Sequence, residues 1–536
     1  MEKNVRHWQL AICLLAALVF GGCGKNSTKQ WFLKDYLAVQ LSKGEAWSII
    51  DKNGKVVVEE EYPADARISS IYDGAFWVKQ GDIYQLFSID EPKKPVTDEE
   101  FSSVTDFEAG CAVVANPNQQ IRIINTKGKT VATLPKTTKR CYKFTEWGYA
   151  RFESTDKKQG IIDTKGNIVV KPEYSLLEID GKDMLLALKD NADKSVLILD
   201  SKGKKTGEFN LEKHRVHDIC DGYIVAKSSD AEDAHIAVLD KTGKKISEVK
   251  KADGSKSASF LDGYLTFTNS DDKKGVADKN GEVIIRPKYE NLRIIGNGKF
   301  FAKKGSKWGV VNAQDETILD FDYDSEFFVM GENYVMGDGS NYTLVNQDGK
   351  ELESFESYSC GGADSYVEFV DVENIANEAF STIEKYEKGI TAAQLAKSLS
   401  LSVDNFHYDT SIGTTVDIDD NVKFTLITRY NDYVTTEKTH LEEVNDGWFT
   451  YNRTVSDGWV WADTTPRKVN GTIETNNSIN AKDLYKVLAS KLSNGRKKVS
   501  DGTFSKNIKI NGKTVECRTS LSENNGGIEV EILFVE

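Results

Sequence analysis

Two short aromatic clusters hold the residues whose chemistry is easiest to read. Asp446-Gly447-Trp448-Phe-Thr-Tyr451 is followed by Asp457-Gly458-Trp459-Val-Trp461. The Asp-Gly pairs read as turns, so Trp448 with Tyr451, or Trp459 with Trp461, could line a sugar- or peptide-binding surface. Residues two apart share one strand face, which gives Trp459 and Trp461 the arrangement a stacking platform requires. The competing role is ordinary, since such aromatics more often cover a core beneath helices. Asp417-Ile-Asp419-Asp420-Asn421 superficially suggests calcium, but it lacks the glycine and the distant bidentate glutamate of an EF-hand loop. Lying between two strands, it reads as a hairpin turn.

The inventory for catalysis is small. Of six histidines, only His214-Arg-Val-His217 forms a close pair. On a strand, positions three apart face opposite sides, so these two cannot share a metal. His407 and His440 have neither a paired cysteine nor a matching acidic cluster. No Gly-x-Ser-x-Gly, phosphate-binding loop or His-Glu-x-x-His occurs. Cys111, Cys141, Cys220, Cys360 and Cys517 are odd in number and widely spaced, and read as small buried apolar residues rather than a disulfide framework. The sequence thus nominates no catalytic residue, no metal ligand and no cofactor. Lysine and arginine total 69 against 83 acidic residues, a formal charge of −14. That balance argues against nucleic acid or an anionic membrane surface as the main partner, because both demand a basic face.

The N-terminus reads as an address. Lys3 and Arg6 precede an apolar run from Leu10 to Phe20. Eleven residues at about 1.5 Å each fall far short of a hydrocarbon core of roughly 30 Å, so residues 1–22 are expected to be a signal peptide. Gly21-Gly22-Cys23 resembles the bacterial lipobox, with Phe20 standing where that motif usually has leucine. The resemblance implies lipid modification at Cys23, and hence a membrane attachment through that lipid alone. Residues 23–36 would be a polar tether ending in a possible closing strand. A periplasm-facing placement in the cell envelope is favoured over the cell surface.

The elements that position these residues follow a repeat. A phrase of the form aromatic or glycine, apolar, apolar, Asp, x, x, Gly returns about every 37 residues from residue 37 to residue 350. Its corners fall at Gly54, Lys93, Gly128, Gly166, Gly203, Gly243, Gly281, Asp315 and Gly349, spaced 34 to 40 apart. A second landmark follows most corners, as in Asp73-Gly74, Trp147-Gly148, Asp221-Gly222 and Asp262-Gly263. Glycines between apolar runs supply the positive φ of hairpin turns. Each unit can be laid out as four short strands, for example Tyr264–Thr268, Lys274–Asp278, 282–287 and 291–295. Fixed-period self-similarity marks a repeat architecture rather than a catalytic domain.

The array is similar to the WG β-repeat family of bacterial proteins. Lys307-Trp308-Gly309-Val-Val carries the full dipeptide. Asp163-Thr-Lys-Gly166-Asn-Ile-Val-Val-Lys-Pro172-Glu-Tyr174 and Asp278-Lys-Asn-Gly281-Glu-Val-Ile-Ile-Arg-Pro287-Lys-Tyr289 carry the rest of its unit. The family's lysine after the corner glycine is kept as Lys55 but replaced by Asn167 and Glu282. The resemblance implies a repeat fold and a binding role, with no catalytic residues to transfer.

The expected fold is mainly β. About nine four-stranded units span residues 37–360, either closing into a β-propeller or stacking as an open arc. Closure would remove exposed edges, although nine units is many for a ring. The last unit, ending near Phe355, is read as lacking its fourth strand, which Trp31–Tyr36 could supply. A smaller α+β domain over 366–536 follows. Its helices are expected at Val372–Tyr386, Ala392–Leu399 and Ala481–Leu492, capped by Thr391 and Asn480. The functional expectation is a lipid-anchored envelope protein whose array binds or scaffolds protein or glycan. An envelope-assembly factor is the alternative, followed by a glycan-acting hydrolase for which no residue can be named.

Overall fold

The alternating segments fold as short antiparallel strands whose sheets succeed one another along the chain. The protein is described by a computed structural model that covers residues 32–33 and 35–535, apart from 117–118, 182, 191–194, 211–213, 221, 229–234, 250–257, 340, 404–405, 407–408, 420–421, 431, 446–449, 463, 476–480, 511 and 525–526. Through Phe369, apart from Pro117–Gln119, the chain forms one compact unit, and Val370–Glu536 forms a second.

The first unit contains nine sheets among the described residues. Ser259–Leu261, Tyr264–Thr268, Lys274–Asp278 and Val283–Tyr289 make a typical one, with the Asp-x-x-Gly corner joining its third strand to its fourth. The sequence phrase is therefore out of phase with the sheet. Asn291–Ile294, expected as the fourth strand of this unit, is the first strand of the next sheet. Turn glycines fix which strands form hairpins, but not where a sheet begins.

Two expectations about completeness are corrected. The second sheet has three strands only, Arg67–Ile68, Ala75–Gln80 and Ile83–Ser88. Its degenerate corner carries Pro92 and Pro95, which donate no backbone hydrogen bond and so resist pairing. The free edge is covered instead by the Val96 N–H to Leu86 O bond (2.7 Å) and by mutual backbone bonds between Tyr84 and Phe101. The last sheet, in contrast, has all four of its strands, from Ser325–Met330 to Glu351–Phe355. The sheet that lacks a strand is the first, formed by Tyr36–Gln40, Trp47–Asp51 and Val56–Tyr62. Ser357–Ser359 completes it, antiparallel to Tyr36–Gln40. Phe32–Leu33 lies parallel on Ser325–Met330 as a fifth strand of the last sheet. Each end of the array thus joins the sheet built by the other end.

Packing follows the same order. Each sheet shares a buried apolar core with the next, as Ala38, Ile49 and Tyr62 do with Phe76 and Val78. The series includes a core of Leu37, Val39 and Ile50 from the first sheet with Met330, Val335, Leu344 and Phe355 from the last.

In the second unit, helices α1 (Val372–Glu387), α2 (Ala392–Leu399) and α3 (Ala481–Ser493) accompany a seven-stranded antiparallel sheet. Its strand order is Ser411–Asp419, Val422–Tyr430, Pro466–Thr475, Gly527–Val535, Lys513–Asn524, Thr503–Ile510, Lys497–Ser500. The apolar stripes Ile375, Ala379 and Ile383 of α1 and Leu484, Leu488 and Leu492 of α3 bury against the sheet, as their 3.6-residue spacing requires. Thr391 caps α2 in a capping box with Gln394. Asp371 caps α1, and Asn480 lies outside the described residues. Thr435–Asn445 and Thr450–Trp461 pair as a separate two-stranded hairpin. Asp457-Gly458, expected as a turn, lies inside the second of these strands. The register slips there, with Lys438 opposite Gly458 and Thr439 opposite Ser456, so the pair forms a bulge.

Candidate functional site

Of the aromatic residues singled out above, Trp459 and Trp461 have described side chains. Trp461 packs on Phe406 (ring centroids 5.1 Å apart) and joins the edge of the helix–sheet core. It fills the covering role. Trp459 lies two residues away on the same strand and is half-buried. Trp448 lies outside the described residues, as does the side chain of Tyr451. Nearby, His440 Nδ1 sits 2.8 Å from Asp457 Oδ1 across the bulge, a pair on an exposed surface. Cys23 also lies outside the described residues. Cys111, Cys141, Cys220 and Cys517 are buried and Cys360 is half-buried, none of them in a disulfide among the described residues. Among the described residues no group of three or more His, Cys, Asp or Glu is placed to hold a metal.

The repeat's own residues are consumed by architecture. A Cβ on Gly160, Gly275 or Gly309 would lie 2.6, 2.7 or 2.5 Å from a carbonyl oxygen of the neighbouring fourth strand. Each of these glycines falls where the pairing of the third and fourth strands shifts register. The glycine of the Trp-Gly pair is thus what lets the fourth strand bulge over the third. In the first sheet Ser48 takes that place, and its Oγ accepts the Glu60 N–H at 2.9 Å. Trp47 and Trp308 are buried between sheets, as inter-unit packing requires.

The corner does a second job beyond turning the chain. Asp51 Oδ1 accepts the N–H groups of Asn53 and Lys55 at 2.8 and 3.0 Å, and Asp163 and Asp278 repeat the pattern. The corner glycine has positive φ and rests on the fourth strand of the preceding sheet. A Cβ on Gly243 would lie 2.5 Å from Glu208 O, and one on Gly281 2.5 Å from Glu248 O. Gly54, in the first sheet, rests in the same way on Leu352 of the last, where a Cβ would lie 2.9 Å from the carbonyl oxygen. The tyrosine that closes the motif, Tyr289 after Pro287 and Tyr62 after Glu60 in the proline's place, works in the opposite direction. Tyr62 Oη donates to Pro92 O (3.0 Å), and Tyr289 Oη donates to Asp315 Oδ1 (2.8 Å), each at the corner of the next sheet. Asp315 itself adopts φ 65°, the conformation glycine holds at regular corners.

The most elaborate polar cluster of the first unit surrounds residues 357–369, which the sequence marks only as the place where the repeat ends. Ser70 Oγ donates to Cys360 O (2.7 Å) and Tyr84 Oη to Gly362 O (2.8 Å). Asp364 accepts from Ser103 Oγ (2.6 Å), Tyr84 Oη (3.2 Å) and the Val104 N–H (3.3 Å). Tyr366–Glu368 then adds a fifth strand to the sheet that begins with Thr138–Tyr142. The buried Glu368 carboxylate pairs there with Lys139 (3.2 Å) and Arg140 (3.4 Å). Burial, and then the charge of Asp364, push the Tyr84 hydroxyl far above its usual pKa, so it acts as a donor. Burial also raises the Asp106 carboxyl, against the opposing pull of Lys143. Cys360 is pushed up to about 12, first by burial and then by Asp106, so it is no reactive thiolate. The geometry ties one segment to four successive sheets.

The side chains of this segment satisfy edge donors that elsewhere a side chain of the preceding sheet satisfies. Ser359 Oγ accepts the Ile68 N–H (3.1 Å), and Asp364 that of Val104. In other sheets, Gln159 Oε1 accepts the Leu177 N–H and Asp218 Oδ2 the Phe260 N–H, both at 2.8 Å. Asp364→Ala is therefore expected to cost about 2–3 kcal/mol, because it strands the buried Val104 N–H and the Ser103 hydroxyl, while Tyr84 Oη keeps Gly362 O. Chemical denaturation should show a lower midpoint, and amide exchange should rise first at 103–105 and 357–369.

These features define a class: serial, mostly four-stranded antiparallel β-repeats, each locked to its neighbours by its own motif residues. The model of the WG containing repeat matches residues 47–84, 160–182 and 275–308. The chain is a WG-repeat protein. A search of curated proteins returns no match. Among solved structures, BamB from Moraxella catarrhalis is similar at 12% identity, over 54% of this chain and 96% of that one, with a TM-score of 0.29. Hsv2p from Kluyveromyces lactis is similar at 9% identity, over 67% and 99%, with a TM-score of 0.26. BBS1N in complex with ARL6DN is similar at 14% identity, over 42% and 85%, with a TM-score of 0.23. At those scores the likenesses carry no argument.

Proposed function

We propose that the array closes as a ring of nine sheets and serves as a protein-binding scaffold, held at the bacterial cell envelope by lipid on Cys23. The observation that carries the reading is how the motif is used. Its tryptophan, corner glycine and tyrosine bind sheet to sheet, and its aspartate and other glycine shape each sheet from within, which leaves recognition to the loops that vary from unit to unit. Closure is supported by the strand, the glycine contact and the apolar core that link the last sheet to the first. A rigid array with variable loops suits recognition of a folded partner. Residues 1–22 would direct export, and the tether would hold the array near the membrane.

Affinity capture from detergent-solubilised envelopes tests the binding reading. A stoichiometric protein partner, lost when loops on one face are replaced, is the expected result. A β-barrel among the captured proteins would favour an assembly role, whereas capture of nothing above a scrambled-loop control would count against the scaffold. Mass spectrometry of the N-terminal peptide tests the anchor separately, since a diacylglyceryl group on Cys23 is expected. Glycan as the ligand, with Trp459 and Trp461 as its platform, is checked by a glycan array using Trp459→Ala.

A further inference from the structure

The seven-stranded sheet of the second unit ends in two unlike edges. Lys497–Ser500 is four residues long, fully exposed, and opens with two lysines, a protected edge. Ser411–Asp419 is nine residues long, and its first six, Ser-Ile-Gly-Thr-Thr-Val, contain no charge and no proline. Among the described residues it pairs with Val422–Tyr430 alone, leaving its outer backbone groups without a strand.

Other free edges of the described sheets show the usual defences. They are four residues or shorter, or they carry charge, proline or a bulge. Val56–Tyr62 has three glutamates, and Pro172 and Pro287 interrupt Ile168–Tyr174 and Val283–Tyr289. In the hairpin, Thr435–Asn445 is studded with charges and Thr450–Trp461 holds the Asp457 bulge. Ser411–Asp419 has none of these over its first six residues. It has the composition of a strand meant to be paired.

The same strand is complementary to itself. Placed antiparallel to a copy with Thr414 opposite Thr414, Ile412 meets Val416, Gly413 meets Thr415 and Ser411 meets Asp417. Ile412 is buried and Val416 packs partly on the core, so that pair would extend the apolar layer beneath the helices. Gly413 and Thr415 lie on the exposed face, and a Cβ on Gly413 would meet only Leu426 O, at 4.0 Å. Within the paired residues 411–417 no like charges are opposed, and the one carboxylate there, Asp417, meets the Ser411 hydroxyl.

We propose that Ser411–Asp419 pairs with the same strand of a second copy, joining two seven-stranded sheets across a two-fold axis. The contact is isologous, so it closes at two copies and leaves no new edge.

The test uses the full chain carrying Cys23→Ser, followed by sedimentation over a wide concentration range. The wild-type edge is expected to give a mass rising to twice that of one chain. Gly413→Lys with Thr415→Lys sets lysines against each other twice across the axis and should hold the protein at one chain. Gly413→Lys with Thr415→Glu sets opposite charges in those places and should restore the doubling. Thermal melts by circular dichroism establish that both variants fold. A mass of one chain at the highest soluble concentration overturns the proposal, and so does a doubled mass that the two lysines leave unchanged.

Discussion

Gly54→Ala is expected to lower the stability of the first unit by about 2–4 kcal/mol, combining the strain of positive φ with overpacking. Gly54 holds φ +81°, and an added Cβ would lie 2.9 Å from Leu352 O, 3.0 Å from Leu352 C and 3.1 Å from Glu353 Cβ. Backbone cannot swing aside as a flexible side chain can. The proper comparison is Gly263→Ala, at φ +78° with nothing within 4 Å of the new atom. That change carries the conformational strain alone, about 1–2 kcal/mol. Denaturation midpoints should place Gly54→Ala well below Gly263→Ala. Equal losses would mean that the first corner does not rest on the last sheet.

Glu387→Ala should cost the second unit about 3–5 kcal/mol, the range for removing one partner of a buried ion pair. Glu387 is 1% exposed at the end of α1. Its carboxylate receives Arg496 at 2.7 Å and Lys506 at 2.5 Å, and Thr519 Oγ1 also donates to it. The Arg496 side chain is itself buried beside Phe380, so the substitution leaves its guanidinium only the 3.5 Å pairing with the exposed Glu384 carboxylate. Burial alone would raise the carboxyl, but hydrogen bonds from Arg496, Lys506 and Thr519 outweigh it and hold the pKa below the ordinary 4.5. A depressed folded-state value stabilises the native form above about pH 4.5, and that contribution is lost as pH falls through the folded value. Wild-type protein should therefore lose stability below pH 4.5 more steeply than Glu387→Gln. Parallel acid profiles would remove Glu387 from the account.

Much of this architecture is written locally. The Asp-x-x-Gly corners mark the turns because the aspartate and glycine must stand at fixed offsets, and the helical stripes of α1 and α3 mark their buried faces. Phase and closure are different in kind. Nothing in Asn291–Ile294 says that it opens a sheet, and Ser357–Ser359 reads as the end of a pattern. Asn291–Ile294 takes its role from pairing with Lys299–Lys304 after it, and Ser357–Ser359 from a contact more than 300 residues away, with Tyr36–Gln40. Asp457-Gly458 shows the opposite error, since residues that favour a turn serve equally well at a bulge. The segment 357–369 was legible only as the place where the repeat ends. Its polar anchors, Ser70, Tyr84 and Ser103, lie on distant strands and carry no local signal. The aromatic platform was half legible: residues two apart do share a face, but burial of Trp461 against Phe406 is decided by the loop before it.

Closure of the array is tested most directly by joining its two ends. Asn333 Nδ2 donates to Lys52 O at 2.7 Å, linking a turn of the last sheet to the corner of the first. The pair Lys52→Cys and Asn333→Cys, treated at high dilution with a short bismaleimide, should give an intramolecular cross-link in folded monomer, located by peptide mass mapping. Its formation in high yield is what a closed ring predicts. Reaction of both thiols without a cross-link between them, in protein that melts like wild type, would contradict closure.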